Sequence, residues 1–174
     1  MRKLGVWFLG VVFAVSMVSC DSNQVYDQYK SIPEAWSKDS LVEFEIKNLD
    51  SLQTYNLFFN VRNSSAYKYN NLFLISNMKF PNGKQVTDTL EYEMAYPNGK
   101  FMGAGAGEIK ENKLWYKEKV RFLEEGTYTV TLEQAMRENG EVEGIQQLEG
   151  ILEVGFRIEK TTHNTHKSGK NTVK

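Results

Sequence analysis

The sequence predicts an all-β protein: a single antiparallel β-sandwich, immunoglobulin-like or jelly-roll-like, of about seven to eight strands over residues 41–159. Three observations carry that expectation. Short segments alternate apolar and polar residues with period two, which in a strand puts one set on each face. Asn, Pro and Gly punctuate these segments at regular intervals, as turns do. No stretch sustains the spacing of three and four residues that an amphipathic helix requires.

Taken in order, LVEFEIK sends Val42, Phe44 and Ile46 one way and Glu43 and Glu45 the other. In YNLFFNVR, Tyr55, Leu57, Phe59 and Val61 share a face opposite Asn56, Asn60 and Arg62. The run NLFLISNMKF from Asn71 to Phe80 is apolar on both faces in its first half, as expected of a central strand covered on both sides. PNGK at Pro81–Lys84 is a turn, because Pro81 fixes φ and Gly83 accepts positive φ. QVTDTLEYEM is its hairpin partner, with Val86, Leu90, Tyr92 and Met94 in phase. LWYKEKVRF aligns Tyr116, Glu118, Val120 and Phe122, and GTYTVTLEQAM aligns Tyr128, Val130 and Leu132, the two joined by a turn at Glu124–Gly126. LEVGFRIE, with Leu152, Val154, Phe156 and Ile158 aligned, closes the domain. FPNGK at Phe80 recurs as YPNGK at Tyr96, which reads as one turn chemistry used twice.

The N-terminus has a different character. Arg2 and Lys3 precede a 15-residue weakly polar to apolar run from Leu4 to Val18, shorter than the roughly 20 residues a spanning helix needs. Residues 1–19 are therefore expected to be a signal peptide. The chain's one cysteine follows at Cys20, and an exported protein with a single cysteine forms no internal disulfide. Met17-Val18-Ser19-Cys20 resembles a bacterial lipobox, so Cys20 is expected to carry a diacylglyceryl group and an N-acyl chain, several hydrocarbon tails where one would anchor only marginally. Residues 20–40, the lipidated N-terminus with YKSIPEAW, are expected to be a polar tether that lets the domain stand off the membrane. With Asp21 and no dense acidic run after Cys20, the chain is expected to face the periplasm, and the choice of inner or outer membrane is left open.

Charge is distributed unevenly. From Cys20 to Glu159 there are 15 Lys plus Arg against 22 Asp plus Glu, net −7, while Lys160–Lys174 holds four lysines and no acid, net +4. An acidic domain argues against nucleic acid as its partner. The 160–174 tail, poor in large apolar residues, is expected to be disordered. Its His163 and His166 have no third metal ligand nearby, so no metal site is expected.

Catalytic constellations are scarce. Serine or cysteine nucleophiles usually need a histidine base, and the two histidines both lie in the tail. Glu91 with Glu93, and Asp88 on the same strand face, are the candidate carboxylate set for glycoside chemistry. They sit on the polar side of a well-patterned strand, so a solvated face is the better reading and no catalytic residue is expected. GAGAG, with Gly103, Gly105 and Gly107, lacks both the Gly-Lys-Ser/Thr of a P-loop and a following helix, and reads as a loop or bulge, or as a backbone surface for a partner. Tyr67 and Tyr69 in SSAYKYNN are placed in the same candidate contact set, as rings for a sugar or a protein or as caps on the sandwich edge.

With these segments in view, the chain resembles the gliding motility lipoprotein family GldH. The similarity lies in YNLFFNVRNSSAYKYNNLFLI, FPNGKQVTDTLEYEMAYPNGK, GAGAGEIKENKLWYKEKVRF, EEGTYTVTLEQAMR and VGFRIEK, roughly Val42 to Lys160, besides the lipobox. The resemblance implies a non-enzymatic, membrane-anchored accessory or scaffold component of gliding and associated secretion. Its implied partners are the membrane, through the lipid, and other envelope proteins, with no nucleic acid and no small-molecule cofactor. It carries over no site residue except Cys20, and the basic tail after Glu159 departs from it. The alternative reading is a carbohydrate-binding lipoprotein module of the envelope.

Overall fold

A computed structural model describes residues 23–161, and every regular element in them is a strand. The strands are β1 (Gln24–Ser31), β2 (Ala35–Ser37), β3 (Val42–Ile46), β4 (Tyr55–Asn63), β5 (Asn71–Lys79), β6 (Gln85–Glu93), β7 (Lys110–Val120), β8 (Tyr128–Gln134), β9 (Gln147–Glu149) and β10 (Ile151–Lys160). They form two four-stranded sheets, ordered β1-β10-β4-β7 and β3-β8-β5-β6, and a two-stranded ribbon of β2 and β9. All pairings are antiparallel, as an all-β sandwich requires.

Alternation determines what is inside. Val42, Phe44 and Ile46 are buried while Glu43 and Glu45 are exposed, and Tyr128, Val130 and Leu132 of β8 lie opposite them in the same sheet. Burying side chains of this size contributes roughly 1.5–3 kcal/mol each. The sheets meet through aromatic rings: Phe156 packs on Phe59 at 5.4 Å and on Phe44 of the facing sheet at 5.9 Å, between ring centroids. The β2-β9 ribbon closes one end with Trp36 and Leu148, both fully buried, and the Trp36 indole donates to the Ser40 carbonyl at 3.1 Å.

The β5-β6 hairpin forms at the expected turn, where Gly83 takes φ +88° and its N–H donates to Phe80. The YPNGK echo repeats that geometry: Tyr96 N–H donates to Lys100, Gly99 N–H to Tyr96, and Lys100 N–H to the Asn98 side chain. Residues 124–126 carry the chain from the first sheet to the second, since β7 and β8 belong to different sheets.

Four expectations are corrected. The span assigned to a tether contains β1, paired with β10 from Gln24 to Ser31, and the buried Trp36 of β2. Gln28 and Lys30 share the face of Tyr26, so the strand shows no apolar alternation. β5 lies inside its sheet but is half-exposed on the Phe73 and Ile75 side; the strand covered on both faces is β4, where Phe58 and Asn60 are buried as well. Asp88 faces with Val86, Leu90 and Tyr92, away from Glu91 and Glu93. Finally, Lys160 ends β10 and its N–H donates to Asn23 at 2.8 Å, so the fold extends past Glu159. The leader, Cys20 and the histidines His163 and His166 lie outside the described residues.

Candidate interaction face

The outward face of the first sheet holds its most organised side chains, because antiparallel register lines residues up across four strands. Three rows cross β1, β10, β4 and β7 in turn: Asp27, Arg157, Phe58, Trp115; then Tyr29, Gly155, Asn60, Lys113; then Ser31, Glu153, Arg62, Glu111. Such directly opposed pairs are the unit of sheet stabilisation.

The glycine in the middle row sets the face. A Cβ at Gly155 would lie 2.9 Å from the Tyr29 ring, so the ring covers a site that admits no side chain. From there the Tyr29 hydroxyl donates to Glu111 at 2.8 Å and accepts from the Asn60 amide at 2.8 Å. Arg62 lies over the Tyr29 ring at 5.0 Å, donates to Glu111 at 3.0 Å and reaches Glu153 at 2.5 Å. Burial by itself raises the Glu111 carboxyl, but the Tyr29 hydroxyl and the Arg62 guanidinium outweigh it and hold the group below the usual carboxylate range.

A second cluster adjoins the first. Arg157 bridges Asp27 at 2.9 Å, Gln24 at 2.8 Å and Glu159 at 2.5 Å, and Lys113 also reaches Glu159, at 2.6 Å. The Lys113 ammonium sits 4.1 Å above the Phe58 ring, and Phe58 packs against Trp115 at 4.5 Å. Trp115 remains 57% exposed. The result is an ion-paired plate of three cations and four carboxylates with one exposed indole, and aromatic residues and arginine are the types enriched where proteins meet.

At the β6 and β7 edges, Asp88 accepts from Tyr116 at 2.8 Å and pairs with Lys117 at 2.7 Å, tying the two sheets together. Glu91 and Glu93 are exposed on the other side of β6, and Glu91 accepts from Asn71. The three carboxylates do not converge, and the Asp88 carboxyl, raised by burial but pulled down further by Lys117 and Tyr116, ends below its ordinary value. A glycosidic general acid needs the opposite shift.

The expected contact loops separate. Tyr67 is buried, its hydroxyl donates to the Asn71 carbonyl at 2.6 Å and its ring packs on Tyr69 and Phe101, so it caps the core and presents nothing to a partner. Tyr69 is half-buried. Gly103, Gly105 and Gly107 are exposed with positive φ. The Ala104 amide is committed to Glu111 at 2.8 Å, and Cβ atoms at 103 and 105 would meet backbone oxygens at 2.6 and 2.7 Å, so the glycines serve loop closure onto β7. Sequence reasoning did not find the plate. The available signal was Trp115, which stands in the polar phase of LWYKEKV beside the inward Tyr116.

The GldH lipoprotein family model matches residues 24–158. The "Gliding motility lipoprotein GldH homolog" of Christiangramia forsetii is 55% identical over 161 residues, covering 92% of this chain and 99% of that protein. The "Gliding motility lipoprotein GldH" of Flavobacterium johnsoniae is 51% identical over 147 residues, covering 84% and 91%. Among solved structures, one chain of infectious bursal disease virus Gx strain aligns over 86% of this chain and 37% of its own at 13% identity, with a TM-score of 0.34, too low to bear on fold or function.

Proposed function

The chain belongs to the GldH lipoprotein family, and on that premise we propose that it is a lipid-anchored, non-enzymatic accessory or scaffold subunit of envelope machinery for gliding and associated secretion. Cys20 carries the diacylglyceryl and N-acyl groups, and the sandwich faces the periplasm. The observation that supports a scaffold is the outward face of the first sheet: Arg62 holds Glu111 and Glu153 beside Tyr29 and Asn60, Arg157 holds Asp27 and Glu159 in the adjoining cluster, and Trp115 projects beside them. Side chains already fixed lose little further freedom on docking, which favours a protein partner over a transient one-group contact. Tyr69 and the 103–107 loop, which adjoins the plate through the Ala104–Glu111 bridge, offer a smaller contact.

The test is crosslinking in intact envelopes followed by gentle solubilisation and capture of the chain. Cys20→Ser is expected to leave the membrane fraction and lose its crosslinked envelope proteins. Trp115→Ala is expected to stay in the membrane fraction and still lose them. Unchanged crosslinks in Trp115→Ala would remove the plate from the contact, and glycan binding by the Trp115 surface in place of protein crosslinks would favour the carbohydrate-binding alternative.

A further inference from the structure

We infer that the sandwich stands on the membrane by one pole, with Leu52 and Leu123 dipping into the lipid headgroup region. The inference rests on lipid attachment at Cys20 as proposed above, and adds an orientation and two lipid-contacting residues to it.

The two ends of the described chain leave from one place. The Asn23 carbonyl accepts from Lys160 N–H at 2.8 Å, and Thr161 N–H donates to the Thr54 carbonyl at 3.0 Å, with the Thr54 and Thr161 hydroxyls in contact. Thr54 ends the loop that bears Leu52. Cys20 precedes Asn23 by three residues, a span of about 10 Å at full extension. With β1 built into the sheet there is no long tether, so a lipid on Cys20 holds this pole against the bilayer.

The pole is suited to that position. Leu52 is 88% exposed and Leu123 is 69% exposed. Leu123 lines, and Leu52 directly follows Ser51 at the rim of, a groove of about 600 Å³ between the loops after β3 and β7, whose lining joins apolar Ile46, Leu49 and Phe122 to the acids Asp50, Glu124 and Glu125. Lys84 and Lys160 are exposed at the same end, as is Lys47, which pairs with Glu45; with the acids Asp50, Glu124 and Glu125 there too, the pole is of mixed charge. The opposite pole carries an equally exposed apolar residue, Val142 at 83%, but between Glu141 and Glu143, with Glu138 close by in the same loop. That loop also carries Arg137 and is of mixed charge, so what separates the two poles is the position of the chain ends.

The full lipidated chain, reconstituted in vesicles of phosphatidylethanolamine with a minority of phosphatidylglycerol, tests this. Cys20 is the chain's one cysteine and its thiol is capped by lipid, so Leu52→Cys, Leu123→Cys and Val142→Cys each provide a single site for an environment-sensitive fluorophore. Spin-labelled lipid is expected to quench the labels at 52 and 123 about twofold, as for groups at headgroup depth, and to leave the label at 142 unchanged. Unquenched labels at 52 and 123 on vesicle-bound protein would overturn the orientation while leaving the anchor intact. Protein that fails to float with the vesicles would overturn the anchor, and the inference with it.

Discussion

At the scale of single residues, the fold depends on a few positions where no side chain fits. Gly150 is the sharpest: it takes φ +84°, its carbonyl accepts from Ser64 N–H, and a Cβ there would fall 2.1 Å from the Tyr67 backbone nitrogen. Gly150→Ala combines a left-handed conformation with an overlap that only backbone movement relieves, so a loss of about 3 kcal/mol is expected. Urea unfolding reads it directly; an unchanged midpoint would show that the 64–67 loop yields freely. The same contact explains why Tyr67 could not be placed from sequence. SSAYKYNN looks like a polar loop, and only its seating against Gly150 and under Phe101 turns the ring inward.

At the scale of elements, alternation was reliable where a strand has one wet face and failed where it has none or where polar residues take the inward-phase positions. β3, β6 and β8 appear as their patterns required. β4 was read with Asn60 outward in solvent, yet Tyr29 of the sequence-distant β1 lies over it and buries it. β1 itself escaped detection because Gln28 and Lys30 take the positions in phase with Tyr26 while Tyr29 is on the other face, so no apolar alternation marks it. A chain starting at Ile32 tests its standing: without β1, Phe156 loses the Tyr26 ring and Asn60 and Glu111 lose the Tyr29 hydroxyl. The truncated chain is expected to unfold at a clearly lower temperature than the parent in a thermal scan, as lost aromatic contact and buried hydrogen bonds of about 1 kcal/mol each require. Equal transitions would restore the tether reading.

At the scale of the whole molecule, the carboxylates that knit the sheets set the response to acid. Glu111 and Asp88 both titrate below their ordinary values when folded. Their stabilisation is therefore complete above the unfolded value of about 4 and is lost as pH falls through the folded one. Thermal stability is expected to hold through neutral pH and drop in acid, and the gap in Tm between the parent and Glu111→Gln is expected to be widest at neutral pH and to narrow below pH about 4. A gap that stays constant with pH would mean that Glu111 contributes by packing alone. By itself, the sequence determined the sandwich class, the β5-β6 hairpin, the doubled turn and the family, because period-two burial and turn chemistry are local properties of the chain. Only the tertiary structure decided that the N-terminal segment is a strand, that Tyr67 is core and that Tyr29, Arg62, Glu111 and Trp115 form one surface. Those facts depend on strand order and register, which pair residues as much as 135 positions apart, Gln24 with Glu159, and no local pattern encodes which distant strand a given edge will meet.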